Sequence, residues 1–285
     1  MSGVWKWTAI GLGGVLLALI VMNWQVVAAA ADQSQMFRDP VFDHDPPMIG
    51  DLQGALAIVA FSKTNGYRHH ESIPAARMLL DNLAAQNDWA VFHTENAAVF
   101  NDAQLARFDV VVLNNSTGNL YTEAQRQAFR AFIENGGGVV AIHAAGDNSG
   151  YEWSWYLDEV IRAHFVDHPM AQHIQAATLK VEQPDHPIVQ HLDATWVRSD
   201  EWYNFAENPR ARVNVLLTID EGTYDPERSP MGQDHPMVWW HALGEGRVFY
   251  SALGHVAEGY AEPKYAKMLA SAVRWAAHPE PLEGG

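Results

Sequence analysis

The sequence predicts an α/β protein built on a parallel-rich, doubly wound sheet in a single domain, and three observations predict it. From Gly54 onward, short and nearly continuous apolar runs alternate with amphipathic helical stretches, the pattern of strands covered on both faces. Polar, chemically competent residues follow the apolar runs, as they do where strands end at a ligand-binding edge. With 285 residues, 48% of them hydrophobic, the chain can bury one substantial core.

Lys6 precedes the apolar run of residues 8–31, which ends in the small-residue tract Ala28 to Ala31. Such a segment is either a cleaved signal peptide or an uncleaved membrane anchor through residues 7–31. Both readings engage a membrane or export machinery and place the bulk of the chain outside the cytoplasm, in the periplasm or an equivalent compartment. Residues 32–53, with RDP and DHDPP, show no sustained period and read as an extended linker. The folded unit is expected over 54–278, followed by a short tail, 279–285. Within it, 55–61, 89–94, 108–114 and 138–143 read as strands, and 72–86 and 122–136 as helices. The second half is less regular: a tryptophan-rich stretch at 151–165, strands at 174–182 and 213–220, a hairpin over 236–253 and a closing helix at 263–277.

Charge and composition remove several functional classes. A net charge of −16 with no basic cluster opposes binding to nucleic acid, which depends on Lys and Arg releasing counterions. The absence of cysteine excludes thiolate nucleophiles, iron–sulfur clusters and Cys-ligated zinc. His and carboxylates are left as the strong metal ligands.

At the expected strand ends stand Lys63, Thr64, Arg68 and His69, then Asn114 to Gly118 with Thr117 among them, then His143 with Asp147, and later Gly254-His255. Each alone reads as a satisfied turn, but three histidines after three strands do not. GGGVVAIHAAGD is a glycine turn, a buried strand and a sharp corner bearing His143, the layout of a nucleophile elbow. An imidazole there argues for general acid/base or metal-ligand use. Asp-His-Pro recurs at 167–169, 185–187 and 234–236. Turn and strand-entry chemistry explains His168 and His186. His235, between Met231-Gly232 and Trp239-Trp240, suggests a cleft-like neighbourhood. The abundance of Trp and Tyr, Trp153, Trp202 and Tyr203 included, suits either core filling or stacking against sugar rings. Asp200 and Glu201 cannot both face one site from a strand, and the longer Glu201 is expected inward.

The blocks SKTNGYRHHESI, FDVVVLNNSTGNLYTEAQRQAF, GGGVVAIHAAGD, SDEWYNF, VNVLLTIDEGTYD, MGQDHPMVWW and GEGRVFYSALGH together resemble the ThuA-like (trehalose-utilisation) family, from about Ala55 to Ala277. The resemblance implies a class I glutamine amidotransferase-like, flavodoxin-like sheet and a role in carbohydrate metabolism, on disaccharides or their 3-keto derivatives. The catalytic Cys of the amidotransferase relatives corresponds to His143, so glutaminase activity does not carry over. Arg68-His69 matches a family block with Tyr67 in place of Phe, and His70 is a departure from it.

The resulting expectation is hydrolysis or elimination of a disaccharide or 3-keto-glycoside. His143 or Glu201 would move the proton and Arg68 would steady an oxyanion. Lys63, Thr64, His69, Thr117, Asp147, Trp202, Tyr203, His235 and His255 would contact substrate. Alternatively His69, His143 and His255, with Glu201 as fourth ligand, would hold a divalent metal such as zinc. A 3-keto substrate would require a separate sugar oxidoreductase. A non-catalytic saccharide-binding protein and a zinc-dependent small-molecule hydrolase are the rival readings.

Overall fold

Strand order explains how distant parts of the chain meet. The computed structural model describes residues 33–147 and 151–277, so the N-terminal apolar segment and the tail lie outside the described residues. Among the described residues no helix is long and apolar enough to cross a membrane. Residues up to Asp39 form one unit, whose described part is a 3-10 turn, Ser34–Phe37. Pro40 onward forms the second unit, the α/β domain.

The first half runs β1 (Leu56–Phe61), α1 (Ser72–Asn87), β2 (Trp89–Thr94), the short α2 (Asp102–Leu105), β3 (Val110–Asn114), α3 (Glu123–Glu134) and β4 (Gly138–Ile142). β3 and β4 are buried at every position, which accounts for their unbroken apolar sequences. α1 buries Ile73, Ala76, Leu79, Leu80 and Leu83, one stripe at helical spacing, and stops where Asp88 turns left-handed at φ 56°. α3 opens on a capping box in which Thr122 and Gln125 satisfy each other's backbone N–H groups.

The second half contributes β5 (Phe165–Asp167), β6 (Ile174–Val181), β7 (Thr195–Glu201), β8 (Asn204–Phe205), β9 (Asn214–Ile219), β10 (Pro236–Leu243), β11 (Gly246–Ser251) and α4 (Pro263–Ala277). β10 and β11 form the hairpin expected from the sequence. The tryptophan-rich stretch contains a π-helical turn, Tyr156–Ile161, and β5 pairs with β8 in a separate small sheet.

The main sheet has nine strands in the order β2-β1-β3-β4-β11-β10-β9-β6-β7. The first five are mutually parallel and the last four alternate, so β9 and β7 point the same way as β4 and β11. Glu201, at the end of β7, therefore emerges at the carboxyl edge where β1, β3, β4 and β11 also end. In a flat sheet β7 would lie about 19 Å from β11, four strand spacings away. Yet the Asp200 carboxylate accepts a hydrogen bond from Gly254 N, just past β11, at 2.9 Å. The antiparallel half must therefore coil over the carboxyl edge, in the sense of ordinary sheet twist. Arg198 of β7 accordingly lies over the ring of Tyr265 in α4, 4.6 Å from its centroid.

Residues 40–53, read as a linker, belong with the domain. They have no regular structure, and side chains of the fold pin them. Asn65 pairs with the Val41 backbone, Asn96 donates to Asp45 O, Gln104 to Pro47 O, and Arg107 to Ile49 O and Gly50 O. Asp43 pairs with Lys63 and accepts Ala97 N. The anchors are single residues scattered between Lys63 and Arg107, so no local pattern reveals them.

Candidate metal centre

Four elements bring one side chain each to the carboxyl edge. One ligand atom each from His69, His143, Glu201 and His255 lies within 4.8 Å of all the others. The imidazole centroids form a near-equilateral triangle, 5.0 Å for His69 to His143, 5.0 Å for His69 to His255 and 5.2 Å for His143 to His255.

His143 sits on the corner after β4 with φ 46°, a left-handed backbone that a residue with a Cβ adopts at a cost. Tyrosines hold the corner: Tyr250 Oη donates to His143 O at 3.0 Å and Tyr156 Oη to Ala145 O at 2.7 Å. Any Cβ at Gly146 would stand 2.3 Å from Tyr250 Oη, so this position must be glycine. The His143 Nδ1–H donates to Ala252 O at 2.7 Å, which turns Nε2 toward the cluster. That atom is 3.2 Å from His255 Nδ1 and 3.4 Å from Glu201 Oε2.

His255 is carried by a loop that depends on its neighbours. Gly254 has φ 120°, and a Cβ there would meet Tyr260 Oη at 2.7 Å. The Asp200 carboxylate accepts Gly254 N at 2.9 Å, His255 N at 3.0 Å and Val256 N at 3.4 Å, while Ser72 Oγ donates to His255 O. His255 Nδ1 then lies 3.1 Å from Glu201 Oε2. The two adjacent carboxylates thus divide the work: Glu201 enters the cluster, and Asp200 holds the loop and pairs with the buried Arg198 at 2.9 Å.

His69 comes from the loop after β1, which is zipped to the loop after β3 by a bridge between Thr64 and Thr117. Gly66 and Gly118 let these backbones touch, since a Cβ on Gly118 would be 2.4 Å from Gly66 N. Among the described residues His69 Nδ1 is buried without a hydrogen-bond partner. Burial, followed by the charges of His143 and His255, pushes His69 well below the ordinary imidazole value. Burial would raise Glu201, but hydrogen bonds from His143 and His255 outweigh it and hold the carboxyl well below the usual range. Burial would lower His255, and Glu201, Asp200 and Glu71 outweigh it, leaving His255 raised. A neutral His69 therefore faces an ionised carboxylate and a histidine that shares its proton.

This donor set fits a divalent cation of the zinc type: three imidazoles and one carboxylate, with Nε2 of His143 turned inward and a buried ring nitrogen on His69 with nothing to bond. Without an ion, the same atoms form a base held among proton donors.

The other residues singled out from the sequence are placed as follows. Arg68 makes a two-point pair with Glu95, 2.7 Å at its shortest, and donates to Thr64 Oγ1 at 3.2 Å. Lys63 is buried on Asp43. Thr117 Oγ1 donates to Tyr67 O at 2.6 Å, within the loop zipper. Asp147 is buried just past the His143 corner. Tyr203 packs its ring 4.4 Å from that of His143. Trp202 is fully buried and its indole N–H donates to Gln175 O at 2.9 Å, so it belongs to the core. His235 is buried between Glu221, 2.9 Å away, and Tyr203 O at 2.8 Å, where it braces the strand behind Tyr203. His168, read as turn chemistry, lies 3.4 Å from Glu201 Oε1, and exposed His173 has its ring 5.9 Å from that of His255. The recurring Asp-His-Pro was the available sign for His168, but it marks three sites alike.

A sheet of this topology with a His3Glu cluster at its carboxyl edge defines an α/β protein with a preformed polar site. The sequence matches the family model ThuA, described as trehalose utilisation, over residues 57–276. The chain belongs to the ThuA family. A solved ThuA-like protein from Bacteroides uniformis is similar at 23% identity and a TM-score of 0.68, over 84% of this chain and 95% of that one. Another from Parabacteroides merdae is similar at 18% identity and a TM-score of 0.62, over 81% of this chain and 92% of that one. These likenesses show the fold. No curated protein matches the sequence.

Proposed function

We propose that the chain is a carbohydrate-active enzyme that hydrolyses or eliminates a disaccharide or 3-keto-glycoside, with a divalent metal, zinc in the first instance, held by His69, His143, His255 and Glu201. The observation that carries the reading is the convergence of four donor atoms within 4.8 Å at the sheet edge where ligands bind in this architecture. Family membership supports the substrate class. When bound, the ion supplies Lewis-acid stabilisation to a sugar oxygen. The chain's own contribution is to keep three imidazoles oriented, to hold Glu201 ionised, and to exclude water from the floor of the site with Tyr203.

A 3-keto substrate also brings an acidified C–H beside the carbonyl, for which one positioned base suffices, and implies a separate oxidoreductase that makes the ketone. Export through residues 1–31 completes the proposal, and activity of a C-terminal reporter that works only outside the cytoplasm tests it. The enzymatic reading is tested by product analysis with native and 3-keto disaccharides, with and without chelator. Turnover that the chelator abolishes is expected. Saccharide binding without any product would move the protein to the binding class, and chelator-insensitive turnover would remove the metal from the mechanism.

A further inference from the structure

A sugar bound at the cluster needs an apolar face to lie on, because the C–H groups of a pyranose pack against aromatic rings while its hydroxyls take hydrogen bonds. The aromatics that the sequence offers for this role do not present one. Trp202 and Tyr203 are buried. Trp153 and Trp155 stack on each other at 5.1 Å, with the guanidinium of Arg126 over the first ring at 5.8 Å and that of Arg130 over the second at 5.1 Å.

Tyr67 is the most exposed Tyr, Trp or Phe in the described part of the α/β domain, at 39%. Its ring meets that of His69 edge to face, with centroids 4.9 Å apart and an interplanar angle of 73°. An ion held by His69 lies about 3 Å from the imidazole centre, so the ion and the centre of the Tyr67 ring are at most about 8 Å apart. One pyranose ring with its hydroxyl oxygens bridges that gap. We infer that Tyr67 is a substrate-contact residue, the platform on which the sugar ring lies while one of its oxygens meets the ion. The inference rests on the reading above of a carbohydrate-active metal site, and it assigns the group that takes the sugar's apolar face.

An exposed tyrosine is ordinary on a surface, and what sets Tyr67 apart is the backbone that carries it. Tyr67 O accepts Thr117 Oγ1 at 2.6 Å. Just before it, Asn65 N and Gly66 N both donate to Thr117 O, at 2.8 Å and 3.1 Å, and Asn65 Nδ2 donates to Asn119 O at 2.7 Å. Just after it, His69 O accepts Ile73 N at 3.1 Å, where α1 begins. The chain is thus fixed on both sides of an open ring, and a ligand that covers the ring has little backbone freedom to freeze out. The cluster also opens on the same edge. His143 is fully buried at its floor, whereas the His255 side chain, across from His69, is 20% exposed.

The test is saccharide binding and turnover with trehalose and 3-keto-trehalose, on the purified full-length chain equilibrated with Zn2+ and on Tyr67→Ala, Tyr67→Phe and Met78→Ala. Tyr67→Ala is expected to raise Kd and KM by about 10-fold or more with kcat little changed, the mark of a contact made alike in ground and transition states. Tyr67→Phe keeps the ring and should recover most of that loss. Met78→Ala removes an exposed apolar side chain from α1 and should behave as wild type. Tyr67→Ala should also keep the wild-type Zn2+ content and melting temperature, which separates contact with the sugar from support of His69. If the wild type binds a sugar without turning it over, Kd alone decides. An unchanged Kd and KM in Tyr67→Ala, no recovery in Tyr67→Phe, or loss of Zn2+ from Tyr67→Ala would overturn the inference and leave the carbohydrate-active metal site standing. A wild type that neither binds nor turns over either sugar would overturn both.

Discussion

Asp200 and Glu201 are adjacent buried carboxylates, and the structure assigns them opposite consequences on neutralisation. In Asp200→Asn, Arg198 loses its partner at 2.9 Å while both side chains are fully buried. A guanidinium cannot shed its proton, so the charge stays in place without its counter-charge. Breaking a buried pair from one side costs about 3–5 kcal/mol. Glu262, one-third exposed and 3.9 Å from Arg198 Nε, offsets part of this, which leaves a loss of about 3 kcal/mol. That is a large share of the roughly 5–15 kcal/mol that holds a domain folded. In Glu201→Gln the partner is His255, whose raised affinity for its proton derives from Glu201 itself. The imidazole can release that proton once the carboxylate is gone, so the metal-free protein should lose no more than about 1 kcal/mol. Urea unfolding at neutral pH in the presence of chelator reads both numbers. Equal losses in the two variants, or an Asp200→Asn protein as stable as wild type, would refute the division of roles between loop support and site.

Two further outcomes follow from buried charge. Asp43→Ala strips the partner from a nearly buried Lys63 and frees the strap that Asp43 also ties to Ala97 N, so stability should fall by about 2 kcal/mol and protease should cut within 40–53 sooner; unchanged proteolysis would contradict the pinned strap. His241 is pushed down to about 3 by burial first and Arg162 second, so the unfolded chain binds its proton below about pH 6.5 and the folded chain does not. Its share of stability is therefore full above that pH and lost as pH falls toward 3. This amounts to about 2 kcal/mol at pH 5, and His241→Gln should show that much less loss between pH 7.5 and pH 5 in urea titrations.

The parallel half of the sheet was legible because each strand is buried on both faces and each helix shows a stripe, so β1, α1, β3, α3 and β4 announce themselves locally. β7 was legible only as an acidic-aromatic block. Its alternating exposure ends at Asp200 and Glu201, which are both buried, and nothing in its sequence tells that the antiparallel half coils back to the ends of β4 and β11. The same holds for the site. His69, His143 and His255 could be read from their positions after strands, whereas the fates of His168 and His235, in identical tripeptides, depend on whether Glu201 or Glu221 lies opposite. Trp202 and Tyr203 look alike as sugar platforms in the sequence. One faces Gln175 O in the core and the other faces His143, a difference set in the two-residue link between β7 and β8 that no sequence pattern marks.

The central claim, that His69, His143, Glu201 and His255 form one metal site, is tested most directly by the metal content of the purified protein after equilibration with Zn2+ and removal of the excess. The account predicts about one ion per chain in the wild type and loss of most of it in His69→Ala, His143→Ala, His255→Ala and Glu201→Gln alike, since each removes one of four ligands. A wild-type protein that retains no metal, or one whose metal survives all four substitutions, would contradict it.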